Sequence, residues 1–138
     1  MIFIDTNVLM YASGADDSSL VKTGVARGLL RTTRGIVLSL QVLQEFYVNA
    51  TRVSRGSNLS HGDACALMAT WRRFRIVEPT LATFDRALAI RERYKFAYWD
   101  AAIMSAALDG GCTKVLSEDW THDQVVEGLT LENPFRGL

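Results

Sequence analysis

Four short apolar runs, Ile2 to Ile4, Ile36 to Leu38, Arg75 to Val77 and Lys114 to Leu116, are separated by stretches in which apolar residues return at helical spacing. Runs of this length read as buried strands and the stretches between them as helices. Helices are expected over about Val8 to Tyr11, Ser18 to Thr32, Gln41 to Arg52, His61 to Phe74, Leu81 to Tyr94 and Trp99 to Asp109. Strand alternating with helix predicts an α/β fold with a mainly parallel sheet. Ser60 before His61-Gly62-Asp63 resembles a capping box, Thr80 after Pro79 is placed to cap the next helix, and Gly110-Gly111 ends the last one. Arg52 to Ser60, rich in Ser, Gly and Asn, is expected to be a flexible surface loop joining two helices.

The 138 residues and 49% hydrophobic content suffice for a sizeable core, and residues 1–138 are expected to form one domain. Fifteen basic residues balance fifteen acidic ones, so no overall positive field advertises nucleic acid or an anionic membrane. A polyanion partner would have to be held by a local patch or through metal ions. Cys65 and Cys112 are far apart in sequence and outside any C-x-x-C spacing, which favours a reducing interior over a disulfide framework. The N-terminus lacks signal-peptide features and no apolar run approaches the roughly 18 residues of a membrane span. The expectation is a cytoplasmic protein without a membrane partner.

Against this ordinary background four acids stand in awkward places. Asp5 closes the first strand and Asp119 follows the strand Lys114 to Leu116 by three residues, so both are expected at the carboxyl edge of a parallel sheet, where such sheets bind ligands. Taken singly, Asp5 also reads as a cap for a helix starting near Asn7, and Asp119 as a loop acid. From Tyr98 to Leu108 only Asp100 and Ser105 break an otherwise apolar helix of the kind normally buried. Placement in the first turn offers Asp100 about 0.3 to 1 kcal/mol from the helix dipole. Burying a bare carboxylate costs several kcal/mol, so the dipole does not explain it. Glu45 falls between Gln41 and Asn49, outside the apolar arc of its helix, where a surface acid is the simple reading. Its helix nevertheless begins at the same sheet edge as Asp5. Two carboxylates about 5 Å apart repel by about 3 kcal/mol at an effective dielectric near 20. Four gathered there need protons or a cation, and an all-oxygen cluster selects hard divalent ions such as Mg²⁺ or Mn²⁺.

Asp5-Thr6-Asn7-Val8-Leu9, Ser39 to Phe46 with Glu45, Tyr98-Trp99-Asp100-Ala101-Ala102-Ile103 and Leu116-Ser117-Glu118-Asp119 come in an order that resembles a PIN domain, more narrowly the VapC-type ribonuclease toxin of a bacterial toxin-antitoxin pair. The resemblance spans almost the whole chain. It implies a three-layer α/β/α sandwich around a mainly parallel sheet, with Asp5, Glu45, Asp100 and Asp119 as the catalytic acids. Asp5 and Asp100 are then the direct Mg²⁺ ligands, with Mn²⁺ an acceptable substitute, and Thr6, Asn7, Ser117 and Asp123 are supporting residues. Glu118 and Asp123 lie near enough in sequence to take over the role of Asp119. An RNA substrate, a cognate antitoxin lying against the active-site groove, and a homodimer are implied in the same way.

No Ser-His-Asp or Cys-His arrangement is apparent, so water rather than a side chain is the expected nucleophile. Hydrolysis by metal-activated water would leave a 5′-phosphate and a 3′-hydroxyl on RNA, with one or two ions in use. Arg52, Arg55, Arg72, Arg73 and Arg75, with Trp71, offer a basic rim and a stacking surface, although a solvated helix face is the favoured reading. His122 reads as a surface histidine, and Met10, Met68 and Met104 as core packing. A haloacid-dehalogenase-like phosphatase is the rival enzyme, because it too starts with a strand ending in Asp and Asp119-Trp120-Thr121-His122-Asp123 mimics its late acidic pair. That mechanism needs an acid where this chain has Asn7, and an amide cannot protonate a leaving group. A catalytically silent binding module that keeps the acids as contacts is the other alternative.

Overall fold

The computed structural model describes residues 1–138. Six strands, β1 (Ile2–Ile4), β2 (Ile36–Ser39), β3 (Arg75–Val77), β4 (Lys114–Leu116), β5 (Val125–Val126) and β6 (Leu129–Glu132), form one sheet in the order β3-β2-β1-β4-β6-β5. Every neighbouring pair is parallel except β5 with β6. The six helices are α1 (Thr6–Ser13), α2 (Leu20–Thr32), α3 (Leu40–Ala50), α4 (His61–Trp71), α5 (Leu81–Tyr94) and α6 (Tyr98–Asp109). Helices α1 to α4 pack against one another, α5 pairs with α6, and α6 lies over β2, β3 and β4, which gives the expected three-layer α/β/α sandwich. Phe3, Ile4, Val37, Leu38 and Val115 are fully buried in the middle of the sheet, with Leu9, Phe46 and Met104 against them from the helices. Met10 is buried as expected, whereas Met68 only packs at the margin of the core.

The chain leaves β1 for β2 and β3 on one side, then returns to β4 on the other. Between the carboxyl ends of β1 and β4 the connections diverge, and this is where an open parallel sheet forms a crevice. Asp5 stands at the end of β1, and its N–H donates to the Leu116 carbonyl of β4 at 3.0 Å.

Several boundaries differ from expectation for local reasons. Helix α1 extends on both sides of Val8 to Tyr11, because Asp5 caps it from Thr6 onward and Gly14, at φ 82°, terminates it. Helix α2 begins after Ser19 rather than at Ser18, since Ser19 Oγ accepts from Lys22 N while Ser18 is held by Asp16. The helix expected to reach Phe74 stops at Trp71, and the one expected to reach Arg52 stops at Ala50. Ser60 caps α4 through Asp63 N. The full reciprocal box lies instead between Thr80 and Thr83 of α5. The loop Arg52 to Ser60 is pinned to the end of α1: Ser57 Oγ and Arg55 Nη1 donate to the Ala15 carbonyl at 2.6 and 3.4 Å. Strands β5 and β6 were not expected, and they turn the last residues into a sheet edge.

Candidate active site

At the crevice between β1 and β4 the carboxylates of Asp5, Glu45, Asp100 and Asp119 line one pocket of about 280 Å³, so four distant stretches of sequence converge as the pattern of awkward acids suggested. Thr6 and Asn7 line it as well. Asp5 is almost fully buried, and its carboxylate is held by three donors. Thr6 N donates at 2.8 Å, Ser117 Oγ at 2.7 Å and, at longer range, Asn7 Nδ2 at 3.5 Å. Asp5 therefore does cap α1, and it faces the pocket too; the two readings of this residue describe one side chain.

Ser117 joins the two sides of the crevice. Its hydroxyl gives its only proton to Asp5 and accepts from Asn7 Nδ2 at 2.9 Å and from Asp119 N at 3.1 Å, so all three hydrogen-bonding positions are used. Its own N–H donates to the Glu132 carbonyl of β6 at 2.9 Å, which fixes the start of the loop carrying Asp119. The other half of the pocket comes from helices. On α3, Gln41, Glu45 and Asn49 follow at four-residue intervals and face the site as a row. Gln41 Nε2 donates to Glu45 Oε1 and to the Trp99 carbonyl, both at 3.1 Å, and so ties α3 to the first turn of α6, where Asp100 projects.

Electrostatics reflect the crowding. Burial pushes the Asp5 carboxyl up to about 7, against the hydrogen bonds from Ser117 and Thr6, and the like charges of Asp119 and Glu45 add to the rise. Glu45 is raised above the ordinary carboxylate range by burial first and by Asp100 and Asp119 next. Asp119, though exposed as a residue, is raised by partial burial of its carboxyl and by the charges of Asp100 and Glu118. The Thr6 hydroxyl is buried on the pocket wall without any hydrogen-bond partner. No three acidic, histidine or cysteine side chains enclose a single point closely enough to grip an ion alone. All-oxygen donors, mutual repulsion and an unpaired hydroxyl suit a small hard dication that keeps part of its water shell, which is the habit of Mg²⁺. Asp5, Glu45, Asp100 and Asp119 are the acids placed to hold it.

Of the three candidates for the fourth acid, Asp119 alone lines the pocket. Glu118 turns away from the pocket, accepting from Tyr11 Oη at 2.8 Å and pairing with Lys22 Nζ at 2.9 Å. Asp123 lies outside the pocket, exposed, with His122 Nε2 at 3.4 Å. His122 uses its other ring nitrogen to accept from Asn133 N, so it serves the local loop.

Of the five arginines considered for a basic rim, only Arg55 lines the pocket. Trp71 is buried edge-on against Phe46 at 4.7 Å, and Arg75 donates to the Gly110 carbonyl. The aromatic residue at the site is Trp99, 66% exposed on a helix whose composition suggested burial on all sides. Asp16, a fifth carboxylate in the pocket, was also missed. It follows the end of α1 in a turn, held by Ser18 Oγ at 2.6 Å, and carries no spacing signal in the sequence. Asn49 was legible as the position one helical turn beyond Glu45.

Residues 2–128 match the family described as PIN domain. No curated protein matches the chain. Among solved structures, a toxin-antitoxin complex from Klebsiella pneumoniae superposes with a TM-score of 0.72 at 18% identity, covering 98% of each chain. VapBC2 from Rickettsia felis, bound to a DNA fragment from its promoter, gives 0.66 at 18% identity over 96% of this chain and 98% of that one. VapC20 of Mycobacterium tuberculosis, described as a toxin that cleaves the sarcin-ricin loop, gives 0.64 at 19% identity over 83% and 87%. At these identities the likeness is one of fold. The family match removes the haloacid-dehalogenase alternative. Asn7 fits the same conclusion, since an amide cannot protonate a leaving group and its own is spent on Ser117, Asp5 and the Glu118 N–H.

Proposed function

The chain belongs to the PIN domain family, and from that premise we propose that it is a Mg²⁺-dependent endoribonuclease, the toxin of a toxin-antitoxin pair, acting as a single domain on cytoplasmic RNA. The observation that carries this reading is the convergence of Asp5, Glu45, Asp100 and Asp119 on one pocket at the carboxyl edge of the sheet. Asp5 and Asp100 hold the ion. When bound, Mg²⁺ or Mn²⁺ supplies water of lowered pKa and shields the charge that develops on the phosphate.

The remaining work falls to the protein's own groups. Ser117 and the Thr6 N–H fix the direction of the Asp5 carboxylate, so that its position does not depend on ligand. Glu45, held by Gln41 and raised above the ordinary carboxylate range by burial, receives the proton of the attacking water. Asp119, tied back to Ser117, orients that water from the opposite wall. Water oxygen joins phosphorus, the bond to the 3′-oxygen breaks, the departing oxygen takes a proton from solvent, and the products are a 5′-phosphate and a 3′-hydroxyl. A cognate antitoxin is the partner suggested by the toxin-antitoxin complexes with which it shares its fold, and a second copy of the chain is the partner suggested by the family resemblance.

The test is Asp5→Asn and Asp100→Asn on single-stranded RNA with Mg²⁺, with sequencing of the 5′-phosphorylated ends. Both variants should lose at least about 100-fold in rate while keeping the wild-type circular dichroism. Equal cleavage by wild type and both variants would refute the mechanism. No cleavage by any of the three would favour the silent binding module.

A further inference from the structure

Next to the acid pocket runs an open groove lined by Gln41, Gln44, Glu45, Val48, Asn49 and Trp99, with Glu45, Asn49 and Trp99 shared between the two. We propose that this groove is a subsite for one nucleobase of single-stranded RNA, beside the phosphate that is cut, with the Trp99 indole as its stacking platform. The proposal rests on the nuclease reading for the identity of the ligand.

Trp99 is the anomaly that calls for a ligand. Its neighbours on α6, Ala101, Ile103 and Met104, are buried, whereas its own large apolar surface faces solvent. The ring does not hang free: Tyr98 packs edge-on against it at 5.0 Å, and Tyr98 is itself against Phe84 at 5.9 Å. The Trp99 carbonyl accepts from Gln41 Nε2, the same amide that holds Glu45. A platform built this way is fixed in direction and coupled to a catalytic acid, so little order must be gained on binding.

The chemistry of the groove selects the ligand. It contains three carboxamides, an indole and a valine, with no lysine, arginine or histidine, and its one charge is the Glu45 it shares with the acids. Such a surface has no cation to neutralise a phosphate and sets the Glu45 carboxylate against one, so an anion is disfavoured there. A flat, neutral group with donors and acceptors on its edge fits it, and in RNA that group is the base. Gln44 is exposed and bonds to no group within the chain, which leaves its amide free to meet a base edge. Stacking of this kind tolerates any base because every base has a π face, and edge contacts then set preference. The phosphate of the same nucleotide would fall toward Asp100, the residue next to Trp99.

The test uses a short fluorescent oligoribonucleotide and the Asp5→Asn protein, so that binding is read without cleavage. Trp99→Ala in that background should weaken binding about 10-fold to 100-fold, and Trp99→Phe should recover most of the loss. An abasic nucleotide moved through the oligonucleotide should reproduce the loss at one position only, and at that position should cost nothing further in the Trp99→Ala variant. Unchanged binding in Trp99→Ala, with cleavage intact in the wild type, would overturn the subsite and leave the nuclease reading standing. Binding that depends on Trp99 and on the base, from a wild type that never cuts RNA, would do the reverse. Sedimentation separates the remaining case: loss of binding without any abasic effect, accompanied by dissociation of a dimer, makes Trp99 a protein contact and overturns the proposal.

Discussion

A carboxylate with three hydrogen-bond donors would ordinarily ionise easily, yet burial outweighs them at Asp5 and lifts it to about 7. The consequence for stability has a definite sign. Between about pH 4 and pH 7 the unfolded chain gives up this proton while the folded chain keeps it, so the unfolded state binds fewer protons and stability falls as pH rises. Above about 7 both forms are ionised and the loss is complete, on the order of 4 kcal/mol. Glu45 and Asp119 act in the same direction. In EDTA the melting temperature should therefore drop from pH 5 to pH 8 more steeply in wild type than in Asp5→Asn, and parallel curves would contradict the shift. Ser117→Ala deletes the donor to Asp5 and leaves the Asp119 N–H without its acceptor. It should destabilise the protein by about 1 to 3 kcal/mol in urea titrations. At this scale the acids at strand ends were legible because carboxylates beside apolar runs demand a reason. Asp16 and Trp99 were not, because a turn acid and an indole on an apolar helix have common, undemanding explanations.

Elements were readable where the chain is long and periodic or where a cap marks the end. Helix α5 starts after Thr80, the cap offered by the sequence, and ends at Tyr94 as expected, and the first four strands stand within a residue of expectation. Strands β5 and β6 escaped because two residues, Val125–Val126, carry no period, and Leu129–Glu132 alternates too briefly. Their turn did leave a trace in Glu127-Gly128, both at positive φ as a tight hairpin requires. Gly110 shows how closely α6 approaches the sheet. A Cβ there would lie 2.9 Å from Val37 Cγ1 and 3.2 Å from Val77 Cγ2. Gly110→Ala should accordingly lower stability by about 1 to 3 kcal/mol, and since α6 carries Asp100 it should also blunt cleavage. A substitution neutral in both assays would mean that the helix can shift without disturbing the site.

Across the whole molecule, charge balance and site chemistry make a joint statement. With zero net charge and Arg55 the one basic side chain in the pocket, the proposed RNA substrate should displace few counterions on binding. The slope of log affinity against log salt in Mg²⁺-free buffer should be shallow, about −1 to −2. A slope near −5 would point to a basic track elsewhere on the surface. Ion binding should also register as stability, because relief of carboxylate repulsion favours the folded form. Millimolar Mg²⁺ should raise the melting temperature of wild type more than that of Asp100→Asn, and identical shifts would remove Asp100 from the ion's neighbours. The fold was legible because alternating strands and helices leave few topologies. The side-by-side placement of β1 and β4, which makes the crevice, was not, since strand order depends on long-range packing that no local pattern encodes.

The Glu132 carbonyl, which anchors Ser117 and through it the loop of Asp119, belongs to β6, whose residues follow all four acids along the chain. Chains emerge from the ribosome amino end first and fold as they come. A nascent copy thus has all four acids made before the strand that tethers the loop of Asp119. On the proposed reading, the site of an RNA-cutting protein built in this order would take its final shape only once β6 has paired with β4.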